Sequence, residues 1–129
     1  MMQKYRAEVQ EKWGKTDAYK EFEAKTKGNS KQKWDDLSKK MDDIMAEFAL
    51  CMKQDESPAS SEAQSLVKKL QSHITENYYL CTDEILMGLG QMYVADVRFQ
   101  NNIDKYATGT AAFIREAIEV RVWQRSVTV

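Results

Sequence analysis

Apolar residues recur along this chain at spacings of three and four, and no stretch alternates in strand fashion over several positions. With a single proline in 129 residues, that periodicity predicts an all-α domain. The clearest stripe is Trp34, Leu37, Met41, Ile44, Met45, Phe48 and Met52 in KQKWDDLSKKMDDIMAEFALCM, with Ser30 placed to cap the helix. The loop KQDESPASSE comes next, its Pro58 near the start of another helix. From about residue 60 a second stripe runs through Ala63, Leu66, Val67, Leu70, Ile74 and Tyr78. Thr82 is positioned to cap a short helix. DVRFQNNIDKY and GTAAFIREAIEV predict two more, through Phe99, Ile103 and Tyr106, then Phe113, Ile114, Ala117 and Ile118.

Two regions depart from this regularity. At the front, Tyr5, Val9 and Trp13 form a thin stripe ended by Gly14, and KTDAYKEFEAKTKG continues with Thr16 or Asp17 as N-cap and Gly28 as stop. Short helices with so little large apolar surface are marginal in water, so residues 1–29 are expected to be the least stable part of the domain. In ILMGLGQMYV, Gly88 and Gly90 interrupt an apolar run crowded by Met87, Leu89, Met92, Tyr93 and Phe99. One reading has the glycines end a helix and allow tight packing on the next. The other has them bring backbone close to a guest or bend the helix beside a pocket. Seven Met, six Tyr, three Trp and four Phe exceed what a small core needs, and would suit a pocket for a large, partly planar apolar molecule.

Length supports one domain with one sizeable core. Lys plus Arg is 19 against 20 for Asp plus Glu, and the balance holds in both parts, twelve against twelve in residues 1–56 and seven against eight in 57–129. Nucleic-acid binding by this chain is not expected, because phosphate neutralisation needs a basic excess. MMQKYRAEVQ lacks the apolar stretch of a signal peptide, and no run approaches the roughly 18 apolar residues of a membrane span. The expected compartment is cytoplasmic.

Chemistry is thinly represented. His73 is the only histidine, which removes histidine triads, histidine clusters for zinc and paired Glu-x-x-His di-iron sites. It reads as a hydrogen-bonded, half-buried residue, as a polar handle in a ligand pocket, or as a haem ligand. Cys51 and Cys81 show no metal or redox spacing. Cys51 reads as core. Cys81 reads as core or as a nucleophile, with Asp83 and Glu84 opposing thiolate formation. Acids alternating with lysines, as in DDLSKKMDD, describe solvated helix surface, and GLG lacks the spacing and lysine of a phosphate loop. No catalytic residue, metal or cofactor is expected.

The stretch LCTDEILMGLGQMYVADVRFQNNIDKYATGTAAFIREAI resembles the TipAS-type antibiotic-recognition domain, the thiostrepton-binding effector domain of one branch of MerR-family transcription regulators. The matching positions are Tyr79 and Cys81; Leu89, Gly90, Met92, Tyr93, Asp96, Arg98 and Phe99; Asn102, Ile103 and Asp104; and Gly109, Ala111, Ala112, Phe113, Arg115, Ala117 and Ile118. EVQEKWGKTDAYKE and the Trp34 helix extend the similarity to residues 5–120.

The resemblance implies an all-α, globin-like domain without haem, whose mobile N-terminal helices (1–29) act as a lid over a ligand-binding core (30–120). Residues 121–129 receive no role. The implied partner is an antibiotic or other bulky apolar heteroaromatic compound. Its expected contacts are Trp13, Tyr19, Trp34, His73, Tyr78, Tyr79, Cys81, Met87, Leu89, Met92, Tyr93 and Phe99, with Phe22 also buried by the closing lid. Ordering a segment costs roughly 1–2 kcal/mol per residue, so only a guest with a large apolar face could close the lid at about 25 cal/mol per Å². Some members carry a cysteine two residues before the glycine of the Leu-Gly pair; Gly88 stands there, which leaves Cys81 as the sole candidate for covalent capture. The chain opens without the winged-helix and coiled-coil parts of full regulators, so DNA contact and dimerisation would need segments absent from it. It is expected to be either an effector domain or a free-standing drug-binding protein. A haem- or gas-binding globin relative and a structural helical adapter are the alternatives.

Overall fold

The computed structural model describes the backbone of residues 17–127. These residues form α1 (Asp17–Thr26), α2 (Lys31–Lys53), α3 (Ser61–Asn77), α4 (Asp83–Ala95), α5 (Val97–Asp104) and α6 (Thr110–Val127), with no strand among them. The predicted stripe of Tyr5, Val9 and Trp13 lies outside the described residues, as does the choice of Thr16 as a cap. No described helix is long and apolar enough to cross a membrane.

Local chemistry sets most helix boundaries. Ser30, Ser60 and Thr82 stand in extended backbone before α2, α3 and α4, and their side chains accept from the N–H of Lys33, Ala63 and Ile85. Each satisfies an amide that the first helical turn leaves without a partner. Asp96 ends α4 and caps α5, accepting from the Arg98 N–H at 2.9 Å while the Arg98 guanidinium donates to both its oxygens. Gly109, at φ 95°, supplies the left-handed turn before α6 that side chains rarely adopt. The Asp104 carboxylate then accepts the Ala111 N–H at 2.9 Å, a negative group at a helix start. Much of the stretch from Asp96 to Ala111 thus builds helix junctions.

The centre of the packing is α6, which lies against α2, α3, α4 and α5, most extensively α4. Ile114, Ala117 and Ile118 share one buried cluster with Phe48 of α2, Val67 and Leu70 of α3 and Leu86 of α4. Burying each large side chain contributes about 1.5–3 kcal/mol. α4 runs unbroken through both glycines to Ala95, so they neither interrupt nor end a helix. A Cβ at Gly90 would meet Ile118 Cδ1 at 3.2 Å and the Arg115 Cα at 3.5 Å, whereas one at Gly88 would meet nothing within 4 Å. Close packing of α4 on α6 accounts for Gly90 alone. Residues 121–127 continue α6; Val122 packs against the core and Arg121 Nε donates to Gln71 Oε1 at 3.4 Å.

Candidate functional site

At the end of α3 the chain turns through residues 78–82, and a small set of polar bonds holds that turn. Gln71 Nε2 donates to the Cys81 carbonyl at 2.8 Å and to Asp83 at 3.1 Å. Thr75 Oγ1 accepts from the Cys81 N–H at 3.1 Å. The turn presents Tyr78 toward α1 and α2, where a group of rings collects. Phe22 of α1 stacks on Tyr78 with centroids 6.0 Å apart, and Trp34 of α2 lies 6.4 Å from the same ring. Phe22 also contacts Trp34 at 6.5 Å and Tyr19 at 6.1 Å, and the His73 ring meets Tyr78 edge-on at 5.7 Å. Such separations are those of favourable aromatic pairs.

Four of the expected site residues, Tyr19, Trp34, His73 and Tyr78, therefore meet in one patch joined by Phe22. The others sit elsewhere or more deeply. Met87, Leu89 and Met92 are partly buried and pack against the core, as does Tyr79. Tyr93 is buried and pairs with Phe99 at 6.1 Å. Trp13 lies outside the described residues. Cys81 is buried, and its thiol is pushed up to about 11 by burial and then by Asp83. A thiol that holds its proton so firmly is a poor nucleophile near neutrality.

α1 is held by the chain's own side chains as well as by any guest. Glu21 Oε1 accepts from the Leu80 N–H at 2.8 Å, and Lys25 Nζ donates to the Thr75 carbonyl at 2.5 Å while pairing with Glu21 at 3.1 Å. The Leu80 amide, then Lys25, holds the Glu21 carboxyl below its ordinary range. The expectation that only a bound compound could hold the N-terminal segment down is therefore too strong for residues 17–26.

The surroundings of His73 favour one tautomer. Asn77 Nδ2 lies 2.9 Å from the His73 carbonyl oxygen, which can only accept, so this end of the amide is the NH2. The same nitrogen lies 3.3 Å from Nδ1, which must then offer a lone pair. Burial, with the Lys40 charge next and Glu76 opposing, lowers the imidazole's proton affinity and favours the neutral ring. With the Asn77 amide donating to Nδ1, the neutral ring carries its proton on Nε2. Among the described residues, no three His, Cys, Asp or Glu side chains form a group that could hold a metal ion.

Two open grooves lie elsewhere. One, of about 490 Å³, runs between α2 and α3 past Glu47, Leu50, Glu62 and Lys69. The second, of about 280 Å³, passes Lys68, Thr75, Cys81 and Arg121. Both are shallow and charged, and only Cys81 among the expected contacts borders either. Neither groove borders the aromatic patch beneath α1. Sequence reasoning misses Asn77, Glu21 and Lys25. Asn77 was within reach as the i+4 neighbour of His73; the other two act across fifty residues or more and leave no local signal.

The comparisons with known proteins agree with one another. A family model described as the TipAS antibiotic-recognition domain matches residues 5–120. The chain is 37% identical over 114 residues to the HTH-type transcriptional activator TipA of Streptomyces coelicolor, covering 88% of this chain and 45% of that protein. It is 38% identical over 116 residues to the HTH-type transcriptional activator mta of Bacillus subtilis, covering 90% and 44%. It therefore spans less than half the length of these relatives. Among solved structures, TipAS of Streptomyces lividans in complex with nosiheptide aligns with a TM-score of 0.86 at 34% identity, over 96% of this chain and 87% of that one. The antibiotic-binding domain of a TipA-class multidrug resistance regulator aligns at 0.65 and 31% identity, over 70% and 96%. Six packed helices among the described residues, a short one of them contributing rings to an aromatic patch, and relatives alike in sequence and in shape lead to one assignment: the chain belongs to the family of TipAS antibiotic-recognition domains, with their all-α, globin-like fold.

Proposed function

We propose that this domain binds bulky, multi-ring antibiotics without chemically altering them, with α1 as the lid and the Phe22–Trp34–Tyr78 patch as the central contact. The observation that carries this reading is the patch itself, three rings from α1, α2 and the turn after α3, with the buried His73 against one of them, Tyr78. α1 packs chiefly on α3 and is joined to α2 by the short connection 27–30, so it can swing without disturbing the core around α6. Opening would uncover Trp34 and Tyr78 for a flat guest, and reclosing would press Tyr19 and Phe22 onto it. Tyr79, Met87, Leu89, Met92, Tyr93 and Phe99 extend the contact for compounds larger than the patch, with Cys81 beneath them as packing.

The relatives are transcription activators that bear the domain as part of a longer chain. We assign this one the same place: a cytoplasmic effector domain whose occupancy reports to a separate DNA-reading unit and dimerising coiled coil. Drug sequestration uses the same site and differs only in the consequence of binding. Titrating nosiheptide or thiostrepton while monitoring tryptophan fluorescence tests the proposal. A saturable change is expected, with an α1 that becomes slower to exchange amide hydrogens. No change with either compound at tens of micromolar overturns it.

A further inference from the structure

His73 is 7% exposed, and its Nε2 is buried with no hydrogen-bond partner among the described residues. An Asn77 amide that donates to Nδ1 assigns the ring proton to Nε2. A buried donor with nothing to donate to is rare in folded proteins, and each calls for an explanation. The ring against it, Tyr78, meets it edge-on, and Tyr78 is itself the ring that Phe22 and Trp34 share. An unsatisfied donor therefore belongs to a ring that meets the aromatic patch at Tyr78.

We propose that His73 Nε2–H is the polar reading point of the site, donating to an in-plane ring nitrogen or an amide carbonyl oxygen at the edge of a planar heteroaromatic guest. This rests on the antibiotic-binding reading and goes further by stating what the guest must carry. The aromatic rings accept any flat compound. The histidine discriminates, because a guest without an acceptor leaves the donor buried and unbonded, and sites built on a buried hydrogen bond reject ligands that cannot make it. Asn77 is the positioning residue: its NH2, fixed by the His73 carbonyl, keeps the proton on Nε2.

The test compares wild type, His73→Phe and His73→Gln for nosiheptide affinity, alongside long-range ¹H–¹⁵N spectra of the wild-type imidazole with and without the compound. The Phe variant is expected to bind roughly ten- to a hundredfold more weakly; the Gln variant, which keeps a donor, should recover a good part of that loss. The wild-type spectrum should show a protonated Nε2 throughout, its proton moving downfield when the compound is added. Asn77→Ala should give a mixture of both tautomers. If wild type binds and His73→Phe binds within twofold of it, the inference is overturned while antibiotic binding stands. An Nδ1-protonated ring in the wild-type spectrum overturns it even if the Phe variant fails to fold. No binding by wild type overturns both readings.

Discussion

At the scale of single residues, burial decides what the few reactive groups can do. His73 is kept neutral chiefly by desolvation and then by Lys40, against the pull of Glu76. An unfolded imidazole protonates near 6.5, whereas the folded one waits for lower pH. Folding is therefore unaffected by this group above that value and loses stability as pH falls below it, until the folded imidazole itself titrates. His73→Gln should show a smaller fall in Tm between pH 7.5 and 5.5 than wild type; an equal fall would show that other groups carry the effect. Cys81, held up to about 11, should stay unmodified by iodoacetamide at pH 7.5 in the folded protein, and rapid alkylation seen by mass spectrometry would contradict its burial. The two glycines should respond oppositely. Gly88→Ala, with open space around it, should stabilise by about 0.5–1 kcal/mol through helix propensity. Gly90→Val, aimed at Ile118 and the Arg115 backbone, should cost roughly 1–3 kcal/mol by overpacking. Denaturant midpoints distinguish the pair.

At the scale of elements, α1 differs from the rest. Its hold on the molecule is one aromatic side, the Glu21 bond to the Leu80 amide and the Lys25 bond to the Thr75 carbonyl. α6 by contrast is buried on several sides. Segments with few buried contacts open at lower free energy than the global transition, so α1 should lose hydrogen-exchange protection before α3 or α6. Phe22→Ala should lower the local opening free energy of residues 17–26 by roughly 2 kcal/mol, about half the cost of truncating a fully buried phenylalanine, and leave α6 unchanged. Uniform protection across all helices would remove α1 as a lid. Most helix spans were legible in sequence; the run of α4 through its glycines and of α6 into residues 121–127 was not. The stripe from Trp34 to Met52 became α2, and Ser30 and Thr82 cap where they were expected to. Spacings of three and four and a hydroxyl before a helix act over one turn, so a linear reading captures them.

For the whole molecule, a lid that closes on a guest makes stability depend on ligand concentration. At a hundredfold excess over Kd, binding should add about 2.7 kcal/mol, a Tm rise on the order of 10 °C for a domain of this size. A rise that does not grow with concentration would point away from specific binding. Most of the core was visible as well, since Phe48, Val67, Leu70, Ile114 and Ile118 all lie on the predicted apolar faces. The site was half visible. Aromatic excess pointed to ring binding, yet the residues expected to line it divide between the patch around Tyr78 and the packed surface of α4 and α5.

What the sequence by itself determined is an all-α domain, its caps, its core faces and its family, because each rests on neighbours within a turn or on ordered motifs along the chain. Only the tertiary structure decided which aromatic rings meet, that Gly90 serves packing while Gly88 does not, and that Glu21 reaches an amide 59 positions away. It also showed that His73 Nε2 is buried without a hydrogen-bond partner among the described residues. These depend on how helices distant in sequence are brought together. That placement is set by the burial of several faces at once, and no single stretch of chain encodes it.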